Sequence, residues 1–180
     1  MEGNGFVNLI NDGNIKYFRG KVDKIAAIYA ENSFEKPKYS TNYSLFYFEI
    51  KCKIEGENNL LVIGLANCVA KSYIRYNARE VKIKNCFQEF NFSTFPWNDG
   101  DIFGCGVVYP PNKKNRMPYA FFTQNGKLIG KAILLNDNIN SYNPYVHLKC
   151  CSAETNFGND LETTPFCYDI SKHYVLKEFY

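Results

Sequence analysis

The chain has 180 residues, 46% of them hydrophobic and 22% charged, an ordinary globular balance that excludes a disordered or low-complexity protein. Its net charge of +3 is too small to call for a polyanionic partner, so nucleic-acid binding is not expected. No apolar run is long enough to span a bilayer, and Met1-Glu2-Gly3-Asn4-Gly5 has neither the basic nor the apolar region of a secretory leader.

One domain over residues 1–180 is expected, with its core in 6–170. Aromatic residues reach 17%, and such side chains suit a pleated, half-buried surface, so the composition leans towards sheet. In chain order, 6–10 and 15–20 read as hairpin arms around a polar turn, and 25–30 as a further strand. Residues 31–44, which hold Lys36-Pro37-Lys38, read as a surface loop. Phe46, Phe48, Ile50, Cys52 and Ile54 then alternate with Tyr47, Glu49, Lys51 and Lys53. Strict alternation places the first set in the core and the second in solvent.

Residues 60–66 form a continuous apolar strand, while 73–79 and 87–95 are weaker strand candidates. Two apolar runs, 102–109 and 119–123, flank a polar excursion at 110–118. Asn125-Gly126 then predicts a type I′ hairpin turn, because both residues tolerate positive φ. Residues 145–150 and 153–157 read as the last core strands, and 171–180 is the one stretch open to a short helix. Phe48, Ile50, Ile63, Val107, Phe121 and Phe157 are the expected core, and the class is all-β.

Chemistry finds little to work with. Asp169, Ser171 and His173 lie two residues apart, and on a strand they cannot converge as a triad. Asp99 and Asp101 flank Gly100 and read as turn formers. Gly104-Cys105-Gly106 lacks the third glycine of a phosphate loop, with Tyr109 in its place. Those glycines instead admit a neighbouring strand or a large ring. The seven cysteines form no Cys-x-x-Cys pair and read as reduced structural thiols. Trp97 reads as a core or edge-packing residue. No catalytic residue, metal site or cofactor is expected, and the chain is read as a non-enzyme.

Three motifs stand in a fixed order: Gly100-Asp101-Ile102-Phe103-Gly104-Cys105-Gly106-Val107, then Phe121-Phe122-Thr123-Gln124-Asn125-Gly126-Lys127, then Asn156-Phe157-Gly158. With Phe46-Tyr47-Phe48-Glu49-Ile50, Ile63-Gly64-Leu65-Ala66 and Pro165-Phe166-Cys167-Tyr168-Asp169-Ile170, they resemble the SPRY domain. The likeness is to the RanBPM-type SPRY domain and to the secreted SPRY effectors of plant-parasitic nematodes. Where that family carries a Tyr-Gly-Tyr-His-Gly element, this chain has Ser72-Tyr73-Ile74-Arg75-Tyr76-Asn77, and only the tyrosines match.

The resemblance implies a bent antiparallel β-sandwich of two sheets that binds a partner protein or peptide through edge loops. It implies no cofactor, nucleic acid or membrane, and a monomer. The expected site of action is the cytoplasm, reached in one version by secretion and delivery into a host cell. The alternatives are an intracellular adaptor or ubiquitin-ligase-associated substrate receptor and, in another class, an enzyme or small-ligand carrier using a sandwich cavity. By position, Asn32, Ser33 and Phe34 fall on the first groove loop, with Tyr39 in the same stretch, and Tyr76 falls on a groove tyrosine beside Tyr73 and Arg75. Lys113, Lys114 and Arg116 supply a basic loop tip, and such tips on rigid scaffolds are frequent contact sites. Lys149 stands near a position where peptide-binding relatives have an aromatic, and no His-Pro pair occurs in the first loop. The short-peptide specificity of other members is therefore not expected here.

Overall fold

The computed structural model describes residues 6–10, 13–92, 96–112, 116–136 and 138–180. In chain order the strands are β1 (Phe6–Ile10), β2 (Asn14–Phe18), β3 (Ala26–Tyr29), β4 (Phe34–Glu35), β5 (Ser44–Ile54), β6 (Leu60–Asn67), β7 (Ser72–Asn77) and β8 (Lys82–Asn85). They continue as β9 (Glu89–Asn91), β10 (Ile102–Tyr109), β11 (Tyr119–Gln124), β12 (Lys127–Leu128), β13 (Ile133–Leu134), β14 (Ser141–Lys149) and β15 (Cys151–Asn156). One sheet runs β1-β2-β15-β5-β10-β11-β12, with β13 also on β11. The other runs β3-β14-β6-β7-β8-β9, with β4 also on β14. The ladders are antiparallel, and the two sheets face each other as a β-sandwich.

The core is the space between them. Phe48, Ile50, Cys52, Phe103, Cys105 and Val107 meet Ile63, Leu65, Ile74, Ile83, Val146 and Leu148 there. Five of the six expected core residues are buried. Phe157 is the exception at 37% exposure. It sits past the end of β15 and stacks on Phe48 at 5.3 Å, covering the core edge with one ring face.

The alternation in β5 holds on one side only. Tyr47 and Glu49, expected in solvent, are buried because a second apolar layer covers them. Phe166, Tyr168, Ile170, Val175, Leu176 and Phe179 lie over Tyr47, Val108, Tyr119 and Phe121 on the outer face of the first sheet. This C-terminal strap replaces the short helix expected at 171–180. Its helical content is a single 3₁₀ turn, Ile170–Lys172, capped by Asp169. A helix would turn part of that apolar set away from the sheet, whereas extended chain lays most of it down.

The motif residues act as latches. Buried Glu49 accepts hydrogen bonds from the Tyr47 hydroxyl and from the backbone N–H groups of Cys167 and Tyr168, each at 2.8 Å. Asp101 accepts from Asn98 N at 2.9 Å and from the amides of Gln124 and Asn125 at 2.8 Å each. Asn125 in turn accepts from Ile102 N at 2.9 Å, so two of the sequence motifs hold each other. The turn between β11 and β12 has φ of 49° at Asn125 and 75° at Gly126, as a type I′ turn requires. A side chain on Gly106 would collide with the Phe121 ring, which explains that glycine by close approach.

Candidate functional site

Strand pairing brings four of the connections between strands to one end of the sandwich. Ser44 begins β5 opposite Tyr109, the last residue of β10. On the second sheet Ser141 begins β14 opposite Glu35, and Asn67 ends β6 opposite Ser72. Phe34 stacks on Phe46 at 5.3 Å, and the Tyr109 hydroxyl donates to Phe34 O at 2.9 Å, so these are the same end of the molecule. The connections that follow β4, β6, β8 and β10 all leave from it.

These loops are braced rather than loose. Asn112 donates from its backbone to Ser40 O at 3.2 Å and from its side chain to Lys38 O at 2.5 Å, which ties two loops together. Asn67 accepts from Ala70 N at 2.8 Å. Asn85 accepts from the N–H groups of Phe87 and Gln88 at 2.8 Å each. Such Asx turns fix short loops by replacing backbone bonds. Each braced loop presents one large apolar side chain to water: Tyr39 at 96%, Val69 at 96% and Phe87 at 93% exposure. Val69 and Phe87 were not singled out in the sequence. Their only signal is an apolar residue within a polar turn that follows an asparagine.

The sequence-predicted site residues divide. Asn32 and Ser33 lie at the loop end, with Asn32 exposed. Phe34 is half-buried in β4 through its stack on Phe46, so it supports the loop rather than presenting itself. Arg116 is exposed at the same end and donates to the Tyr43 hydroxyl at 2.7 Å. Lys113 and Lys114 lie outside the described residues.

Three expectations are corrected. Tyr76 is fully buried, on the inward face of β7 within the core, and cannot contact a partner. Tyr73 and Arg75, expected with Tyr76 on the edge-loop groove, are not on a loop: the strand candidate at 73–79 forms as β7 (72–77) inside the second sheet, paired on both sides. Lys149 pairs with Leu60 at the far end of β14, a full strand away from Asn32 and Tyr39. Tyr73 and Arg75 do reach the surface, on the outer face of the second sheet. The Arg75 guanidinium sits 5.2 Å from the Tyr73 ring centre.

That outer face forms a trough of about 300 Å³. Tyr29 stacks on Tyr145 at 5.4 Å, and Tyr145 lies 5.0 Å from His147. Burial, with Arg75 adding to it, lowers the His147 pKa from its ordinary 6.5, so the imidazole is neutral at pH near 7. Burial pushes the Tyr145 phenol well up.

Elsewhere the arrangement offers little chemistry. Ser171 donates its hydroxyl to Asp169 at 2.5 Å, while His173 meets the hydroxyls of Tyr119 at 3.1 Å and Tyr168 at 2.8 Å. The three residues therefore do not act on one point. Asp99 and Asp101 point to different partners, Asp99 accepting from Ile54 N at 2.7 Å. Among the described residues no group of three metal-ligating side chains occurs. Nor is any helix among them long and apolar enough to cross a membrane. Between the sheets, a cleft of about 260 Å³ opens beside Ile28, Phe48 and Phe157.

No protein-family model matches the chain, and no curated protein sequence does. Solved structures with some likeness include lectin UEA-II complexed with galactose, at 8% identity and TM-score 0.46, covering 85% of this chain and 91% of that one. The Lotus tetragonolobus seed lectin (isoform) is similar at 8% identity and TM-score 0.43, covering 87% and 93%. A botulinum neurotoxin type C structure, concerned with cell entry dependent on two ganglioside molecules, matches at 13% identity and TM-score 0.33, covering 85% and 42%. None of the three is close enough to transfer a ligand.

Proposed function

We propose that this chain is a SPRY-type, non-catalytic protein-binding module whose partner docks on the loop-bearing end. The observation that carries the reading is the trio Tyr39, Val69 and Phe87, each more than nine-tenths exposed on a braced loop at that end. Large side chains held out on rigid turns lose little conformational freedom on binding, and they serve as anchors when a partner supplies pockets. Isolated exposed apolar residues are common on any surface. Three at one end, each on a turn fixed by side-chain hydrogen bonds, form a pattern that the fold itself does not need.

The cleft between the sheets, about 260 Å³, is smaller than most sites that bury a small ligand, typically roughly 300–1,000 Å³. This favours surface recognition over a carrier or enzyme that uses the sandwich interior. Edge-loop binding suits an intracellular adaptor and equally a secreted effector acting in host cytoplasm. The loop end works the same way in both.

A triple variant, Tyr39→Ser with Val69→Ser and Phe87→Ser, tests the reading. Proteins captured from lysate by the parent should be lost from this variant and kept by Tyr174→Ser, whose residue is 85% exposed on the strap. All these sites are peripheral, so melting should stay within about 0.5 kcal/mol of the parent. Equal capture by the triple variant would overturn the proposal.

A further inference from the structure

We propose that the trough on the outer face of the second sheet binds an acidic saccharide, a hydroxylated ring bearing one carboxylate. The site is separate from the loop tips and goes beyond the partner-binding role. Ala66 of β6 lines it, and the outward residues along that strand are small or aliphatic: Val62, Gly64 and Ala66. Tyr145 on β14 and Arg75 on β7 are both in register with Gly64, one on each side. An aromatic ring and a guanidinium thus face each other across a residue without a side chain. Gly64 cannot be replaced, because a Cβ there would collide with the carbonyl of Ile74. The gap is therefore built into the sheet.

The walls carry hydrogen-bonding groups that the protein leaves unused. The phenol groups of Tyr29, Tyr73 and Tyr145, the His147 ring nitrogens and the Arg75 guanidinium have no hydrogen-bond partner within the chain among the described residues. Exposed or half-exposed polar groups are ordinarily satisfied by water, but five side chains converging on one depression match a ligand rich in hydroxyls. Tyr29, 48% exposed, offers a ring face against which a sugar ring can stack. Neutral His147 can donate at one nitrogen and accept at the other.

Charge selects the anionic member of that class. Glu89 takes both Lys82, at 2.9 Å, and Lys84, at 3.8 Å. Arg75 and Lys71, both lining the trough, make no ion pair within 4 Å among the described residues, and Glu89 acts on Arg75 only at longer range. A guanidinium presents a planar fork matched to a carboxylate. With one fork and one peripheral lysine, the site suits a single negative charge better than the double charge of a phosphate monoester.

The test is titration of the isotope-labelled protein, following backbone amide signals. Four probes distinguish the sources: a galacturonic acid disaccharide, N-acetylneuraminic acid, neutral lactose and phosphotyrosine. One of the two carboxylated sugars should shift the amides of Gly64, Tyr73, Arg75 and Tyr145, with a Kd in the range of about 1 mM or tighter. Lactose should bind about tenfold more weakly or less, since it lacks the charge that Arg75 reads. Arg75→Gln should weaken the acidic sugar about tenfold, and Arg75→Lys should recover part of that, while the amide spectrum confirms that each variant is folded. The proposal is overturned if neither carboxylated sugar shifts these amides at about 10 mM. It is equally overturned if lactose binds as well, if Arg75→Gln changes nothing, or if phosphotyrosine alone occupies the trough.

Discussion

Replacing Glu49 with glutamine probes how the strap is held. The carboxylate accepts three hydrogen bonds at 2.8 Å: Oε1 from the Tyr47 hydroxyl and Tyr168 N, and Oε2 from Cys167 N. It is 4% exposed, so water cannot substitute. Glutamine keeps one acceptor oxygen, but its amide nitrogen then faces the Cys167 N–H, donor against donor. One charge-assisted bond is lost, worth roughly 1.5–3 kcal/mol, and a donor is left unsatisfied at roughly 1–3 kcal/mol. Allowing for local relaxation, Glu49→Gln should destabilise by about 3 kcal/mol. For a chain of this size that is about 6–12 °C in Tm. Differential scanning fluorimetry reads the shift, and limited chymotrypsin digestion should show earlier cleavage at Tyr174 in the variant. A Tm within about 2 °C of the parent, with unchanged digestion, would show that the latch does not hold the strap.

Other predictions follow from the same latches. His173 packs against Phe121 at 4.3 Å, and burial lowers its pKa from the ordinary 6.5. Because the folded value lies below the unfolded one, its stabilising share is complete above about pH 6.5 and is lost as pH falls through the folded value. Tm should therefore drop between about pH 7.5 and 5, more steeply in the parent than in His173→Gln; equal slopes would remove His173 as a cause. Gly126→Val should cost about 2 kcal/mol or more, since φ is +75° and a Cβ would stand 2.8 Å from Cys167 O. An unchanged midpoint in urea would refute that. Thiol reagent should label exposed Cys68 and Cys167 first, while buried Cys52, Cys105, Cys150 and Cys151 wait for unfolding. Fast labelling of Cys105 in the native state would contradict the packing.

Periodicity in the sequence reports on single strands, and it located β5, β6, β10 and β11 well. It could not show that two layers of chain cover the first sheet, so Tyr47 and Glu49 read as solvent-facing when they lie beneath the strap. The information lay elsewhere, in the paired apolar residues at 166–179, which make sense only once the sheet is built. The motifs were legible as words, but their physical content is long-range: Glu49 answers to Cys167 and Tyr168, and Asp101 to Gln124 and Asn125. Tyr76 was misplaced because position in a motif does not say which face of a strand a residue takes. One step of register separates Arg75 in the trough from Tyr76 in the core. Val69 and Phe87 escaped notice because a lone apolar residue in a turn has no periodicity. Their meaning comes from sharing one end of the sandwich.

The most direct test of the binding role is site-specific photo-crosslinking. A photoreactive phenylalanine analogue is placed in turn at Tyr39, Val69 and Phe87, and at Tyr174 on the strap as the exposed control. The loop positions should each yield the same discrete adduct by mass spectrometry after irradiation in cell lysate, and position 174 should not. An adduct formed from position 174 and from none of the three loop positions would contradict the account and move the partner to the strap face.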